Sequence, residues 1–229
     1  MTQVTFVASM GSDALVVDAA RVSLGRRAEQ FTAEQNASLV AFLARNGHFT
    51  PFTHPQATFH VQAPIYVARQ CFKSRVGFSG RDDDLPDPPF TENEVSRRYV
   101  TEIPTAEKPN WRKRAPGKKQ GSAGPYEPEG LAVVDRVFNR AIGVASEAYE
   151  QMLKLGVAPE QARSVLPMAT VCEWYWTGSL AAWARFYGLR TASDAQDETG
   201  EVAVGVGEAM NSLFPVSWAA LTMPTVSVE

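Results

Sequence analysis

The feature that most constrains this chain is a change of hydrophobic period around one proline. Between 57 and 62, Phe59 and Val61 alternate with Thr58, His60 and Gln62, the period of a half-buried strand. Pro64, a residue suited to the first turn of a helix, leads into 65–73 at helical spacing. A strand that runs through a proline into a helix calls for a sheet with a helix laid against it. The same step delivers Arg69, Gln70, Lys73 and Arg75 to the helix end and its exit loop.

The rest of the chain fits around that step. A short apolar run at 4–8 reads as a first strand, and 14–22 as a helix or a helix–strand mixture. Thr32 with Gln35 forms a capping-box pattern. The helix it opens runs to about Arg45, with Leu39, Phe42 and Leu43 on one face, and Asn46 and Gly47 end it. The segments 76–91 and 101–130 read as long loops, and loops of such length are functional or disordered. An amphipathic helix is expected over 131–155, carrying Val134, Val137, Phe138, Ile142, Ala145 and Tyr149. A short helix at 159–165, a strand at 170–176 and helices at 179–189 and 195–214 complete the reading. The expected fold is mixed α/β, a central sheet flanked by helices in a single domain over 1–229 with long active-site loops.

Bulk properties exclude several classes. A net charge of −3 gives no general surface for nucleic acid. The basic run Arg112, Lys113, Arg114, Lys118 and Lys119 reads as a solvated loop. No apolar run approaches the ~20 residues of a membrane span, and the first residues lack a signal-peptide pattern. The two cysteines, Cys71 and Cys172, sit in apolar surroundings and read as buried structural thiols. A cytoplasmic location follows from these readings.

Polar residues gather at the expected element ends: His48, Thr50, Gln70, Lys73, Ser74, Arg75, Asn93, Glu94, Ser96, Arg97, Arg98, Arg163 and Arg190. The arginines among them suit phosphate and carbonyl oxygens, which favours a compact phosphorylated ligand. No nucleophile elbow, P-loop or dinucleotide fingerprint is present. Gly205 and Gly207 read as a packing feature inside a helix. His48, His54 and His60 lack metal-ligand spacing, so no metal is expected. From the residues alone the reading ends at an arginine-rich anion site.

The stretch APIYVARQCFKSR at 63–75, followed by NEVSRRY at 93–99, resembles the flavin-dependent thymidylate synthase family. So do NGHFTPF at 46–52, Trp111 and Arg112 with KQGS at 119–122, Ala162 and Arg163 with Leu166 and Pro167, Trp176 with Thr177, and Leu189 and Arg190 with Ala195 and Gln196. The resemblance implies a homotetramer whose active sites form at subunit interfaces. It implies FAD reduced by NADPH, and transfer of a one-carbon unit from 5,10-methylenetetrahydrofolate to uracil C5 of dUMP or UMP. No enzyme cysteine attacks the base in this family.

By position, the resemblance implies that Gln70, Ser96, Arg98 and Arg163 hold the nucleotide, with Glu94 and Arg97 beside them. Arg190 faces the uracil, and Ser96 orients the nucleotide. His48, Thr50, Ser74, Arg75, Asn93 and Glu94 lie along the flavin, with Ser179, Ala181 and Arg185 from the late helix. Lys73 sits where flavin and nucleotide meet. Ser96 has a plainer reading as an ordinary helix N-cap.

The sequence departs from the family at three places. The usual Arg-His-Arg is Lys73, Ser74 and Arg75 here. The spacer between Arg75 and Ser96 is 20 residues, much longer than the family's, with an insertion at about 76–92. Ser179, Ala181 and Arg185 replace the usual Asn and Arg residues, and Asp194 stands where a histidine is usual. The pattern is similar to the branch that methylates UMP in nucleoside-antibiotic formation, such as that of polyoxin. Two alternatives stay open: flavin-dependent hydroxymethylation of a pyrimidine nucleotide, and a non-catalytic nucleotide-binding homologue.

Overall fold

The computed structural model describes residues 2–74, 90–117 and 121–222. In chain order the elements are β1 (Gln3–Met10), α1 (Asp13–Arg21), α2 (Ala33–Arg45), β2 (Gln56–Pro64), α3 (Ile65–Phe72), β3 (Phe90–Glu94), β4 (Arg112–Arg114), β5 (Ser122–Pro125), α4 (Pro128–Lys154), α5 (Pro159–Ala162), β6 (Val171–Ser179), α6 (Leu180–Arg190), α7 (Asp197–Leu213) and α8 (Pro215–Thr222). The central sheet has the order β1-β2-β6-β3 and is antiparallel throughout. β4 and β5 form a separate hairpin.

Alternation in β2 and β6 decides which face of the sheet is covered. Phe59 pairs with Trp176, Val61 with Trp174 and Ala63 with Cys172, and all six are buried. Helices α6 and α7 pack on each other, and α7 reaches β1 and α3. Each large apolar side chain buried there stabilises by about 1.5–3 kcal/mol. Trp176, Trp183, Phe186 and Phe90 form edge-on and tilted ring contacts with centroids 4.6–4.9 Å apart in the closest pairs. Gly178 makes room for this cluster, because a Cβ there would lie 2.5 Å from the Phe90 ring. The opposite face is polar: Thr58 and Thr177 hydroxyls lie 2.9 Å apart, and His60 Nε2 is 3.2 Å from a Glu173 oxygen.

The strand–proline–helix step at β2 and α3 and the capping box at Thr32 are as expected, with the Gln35 N–H donating to Thr32 Oγ1 and the Thr32 N–H to Gln35 Oε1. Gly205 and Gly207 are packing positions, close to Val4 and to the Tyr187 ring. Several expectations need correction. β3 replaces loop at its start, because pairing to the distant β6 orders a segment whose one large apolar residue is Phe90. The loop expected at 101–130 contains the β4–β5 hairpin. β6 runs on to Ser179, which both closes the strand and caps α6. On α2, Val40 and Leu43 are buried while Phe42 is 47% exposed. On α4, Tyr149 is the buried residue and Val137 is 65% exposed. α8 extends the helical region beyond the expected end at 214. No described helix is long and apolar enough to cross a membrane.

Candidate functional site

Three helix ends build the central cleft. α3 stops at Lys73, and α6 ends on Arg190, a cation placed favourably at the negative end of its helix. The two ends meet. Arg190 Nη2 donates to the Gln70 carbonyl at 2.8 Å and to Ser74 Oγ at 3.1 Å. Ser74 is buried. Arg190 Nε is buried and without a hydrogen-bond partner among the described residues. Anchoring thus uses one nitrogen of the fork. The cleft beside it measures about 530 Å³ and is lined by Gln70, Lys73, Arg112, Ser122, Arg190 and Gln196, among others. Lys73 and Arg190 on this side suit an anionic ligand.

The far wall is the β4–β5 hairpin, locked onto the start of α7. Arg112 Nη2 donates to Glu198 Oε2 at 2.8 Å, and Nη1 lies 3.2 Å from an Asp197 oxygen. Arg112 Nε donates to Ser122 Oγ at 2.7 Å. The Arg112 and Glu198 side chains are 19% and 10% exposed. Burial alone acts to raise the Glu198 carboxyl. Hydrogen bonds from Arg112 and Gln196 outweigh it and hold the carboxyl below the usual range. The Glu198 hydrogen bond in turn raises Arg112. Burial, with Glu198 and Glu107 nearby, pushes the Tyr66 hydroxyl up to about 12. Arg112 is therefore a structural cation and not part of a solvated run. Lys113 pairs with Glu127 at 2.9 Å, and Lys118 and Lys119 lie outside the described residues.

The other expected residues that are described do not line this cleft. Glu94, Ser96, Arg97 and Arg163 line a second one of about 230 Å³ at the start of α3, beside Ile65. Ser96 Oγ there accepts from the Arg98 N–H at 3.3 Å, a local turn contact. Arg97 donates to the Glu102 carbonyl, Arg98 lies 3.4 Å from Glu160, and Arg163 donates to the Glu160 carbonyl. His48 and Thr50 line a third cleft of about 360 Å³, where the His48 ring stacks on Phe42 with centroids 6.0 Å apart. Asn93 pairs opposite Tyr175 on the polar face of the sheet.

Ser179 caps α6, accepting from the Ala182 N–H at 3.2 Å. Ala181 is fully buried in the core, so its side chain faces no cleft. Arg185 Nε is buried without a partner among the described residues. Arg75 and the insertion up to residue 89 lie outside the described residues. Cys71 and Cys172 are free and buried, and burial pushes both thiols up to about 12.

Sequence reasoning missed Glu198 and Thr199, which tie the cleft wall together. An acid in a first helical turn reads as a dipole partner, so Glu198 carried no signal of its inward role.

A family model described as thymidylate synthase complementing protein matches residues 5–216. A flavin-dependent thymidylate synthase of Thermus thermophilus is 36% identical over 219 residues, covering 95% of this chain and 74% of the relative. One from Thermosipho africanus is 33% identical, covering 92% and 86%. Among solved structures, the UMP/dUMP methylase PolB from Streptomyces cacaoi bound with 5-Br dUMP is similar, with a TM-score of 0.79 and 32% identity over 97% of this chain and 95% of that one. The same methylase with 5-Br UMP gives a TM-score of 0.77.

Proposed function

The chain belongs to the thymidylate synthase complementing protein family, the flavin-dependent thymidylate synthases, and we propose that it is a uridylate C5-methyltransferase acting on dUMP and UMP. In this reading a one-carbon unit passes from 5,10-methylenetetrahydrofolate to C5 of the uracil and becomes a methyl group. The observation that carries it is the Arg190 guanidinium, held at the cleft by Gln70 and Ser74. Facing the uracil, it stabilises negative charge spread over the ring as N3 ionises, which makes C5 nucleophilic. The thiols of Cys71 and Cys172, pushed up to about 12, are poor nucleophiles, in keeping with a reaction that uses no enzyme cysteine. The solved UMP/dUMP methylase supports the choice of both nucleotides.

Gln70, Glu94, Ser96, Arg97, Arg98 and Arg163 hold the phosphate and ribose, the arginines as two-pronged donors. Lys73 stands between nucleotide and flavin. The FAD is held by His48 and Thr50 together with Ser74, Arg75, Asn93, Glu94, Ser179 and Arg185, while Ala181 offers only its main chain. The cleft with the His48–Phe42 stack has the flat, mixed apolar and polar wall that suits part of a flavin nucleotide. Bound FAD, kept reduced by NADPH, supplies the hydride that turns the transferred carbon into methyl.

The three clefts are separate within one chain, so the site is completed between copies, as a homotetramer. Exposed Val133, Val137 and Val144 on α4 give an apolar stripe suited to such contacts. A cytoplasmic location accompanies this reading, and two buried free thiols suit a reducing compartment. The test is flavin uptake followed by nucleotide binding. Protein mixed with FAD is expected to retain a yellow flavin band through gel filtration and then to bind UMP and dUMP. Protein that stays colourless with added FAD contradicts the proposal.

A further inference from the structure

A chain of side-chain hydrogen bonds crosses the floor of the Arg190 cleft. Glu198 Oε2 accepts from Arg112 Nη2 at 2.8 Å and from Gln196 Nε2 at 2.9 Å. Gln196 Oε1 accepts from Gln70 Nε2, and Gln70 Oε1 accepts from Thr199 Oγ1 at 3.2 Å. The main-chain carbonyl of the same Gln70 anchors Arg190.

The polarity of this chain is dictated from one end. An ionised carboxylate only accepts hydrogen bonds, whereas an amide has one accepting and one donating end. Glu198 therefore compels Gln196 to turn its NH2 group inward. That leaves the Gln196 oxygen for Gln70, which must then present its own NH2 and leave its oxygen to the Thr199 hydroxyl. Arg112 reinforces the arrangement, because its N–H requires an acceptor at the Glu198 position. The same arginine engages Ser122 Oγ on its own hairpin.

We infer that Glu198 is a positioning residue: its carboxylate sets which way round the Gln70 amide stands, and so fixes the donor and acceptor pattern that the cleft shows to its ligand. This role rests on the reading of the cleft as a uracil-nucleotide site. The free N–H of Gln70 Nε2 and the free lone pair of Oε1 are the groups a nucleotide meets. Their directions are set before binding, which lowers the cost of ordering them. The carboxylate itself is not among the groups that line the cleft.

The test uses FAD-loaded protein, with UMP and dUMP titrated separately and kcat measured alongside. Glu198→Ala is expected to raise both nucleotide Kd values about tenfold, with kcat within about threefold. Glu198→Gln keeps an oxygen able to accept both bonds and is expected to restore Kd to within about threefold of wild type. Gln196→Leu reproduces the Glu198→Ala defect, and the double variant is no worse than either single one. Unchanged Kd in Glu198→Ala overturns the role, as do additive losses in the double variant. If Glu198→Ala does not fold, Gln196→Leu with wild-type Kd overturns it alone. Wild-type protein that binds neither nucleotide overturns the functional reading instead. The relay is then judged by the crystal structure of Gln196→Leu, where a Gln70 amide still seated on Thr199 overturns it.

Discussion

Arg190 Nη2 donates to the main-chain carbonyl of Gln70 at 2.8 Å, joining the last turn of α6 to the last turn of α3. Two helix ends with no sequence proximity thereby hold one guanidinium in place. Arg190→Ala is expected to lower kcat/KM by ~10²-fold or more, the usual scale for losing a fixed donor at a developing negative charge. Arg190→Lys keeps the charge without the planar fork and is expected to recover only part of the loss. Steady-state kinetics on both variants check this.

The Arg112–Glu198 pair links stability to pH. Because the folded carboxyl lies below its ordinary value of 4.5, its contribution is present above that value. It is lost as pH falls from there through the lowered folded value. In Arg112→Ala the buried carboxylate loses its cation, and stability at pH 7 is expected to fall by about 2–4 kcal/mol. The acid-induced loss from this carboxyl is then expected to shrink, because only the Gln196 and backbone hydrogen bonds remain to oppose burial. Denaturant melts at a series of pH values read both effects.

Gly178→Ala tests how β3 is seated. The added methyl meets the Phe90 ring at 2.5 Å, and the expected destabilisation is about 1–3 kcal/mol, the scale of core overpacking. Phe90→Leu in the same background is expected to restore part of it by vacating the space. Thermal unfolding of the single and double variants measures the coupling.

The thiols give a negative control. With both pushed up to about 12 and buried, neither Cys71 nor Cys172 is expected to react with iodoacetamide at pH 8 within an hour in the folded protein. Cys71→Ala is expected to keep kcat and lower stability by about 1 kcal/mol for the lost sulfur. Mass spectrometry and a melt check these points.

What was legible in the sequence follows the range of the interactions involved. The capping box at Thr32 and the strand–proline–helix step are local, so period and side-chain chemistry reveal them. β3 and the β4–β5 hairpin depend on partners far along the chain or on clamps such as Glu198 on Arg112, and nothing in TEN or RKR announces a strand. The resemblance named candidate site residues one by one, but not how they group. Gln70 with Arg190, Ser96 with Arg163, and His48 with Thr50 fall in three separate clefts. Amphipathic spacing also overstated the burial of α4, whose Val137 is exposed, because periodicity marks an apolar face without saying what covers it.

The central claim is methylation at uracil C5, and the mass of the nucleotide product tests it most directly. FAD-loaded protein, NADPH and 5,10-methylenetetrahydrofolate are incubated with UMP and with dUMP in separate reactions. The account predicts that each nucleotide gains one CH2. A gain of CH2O, or nucleotide recovered unchanged from both reactions, contradicts it.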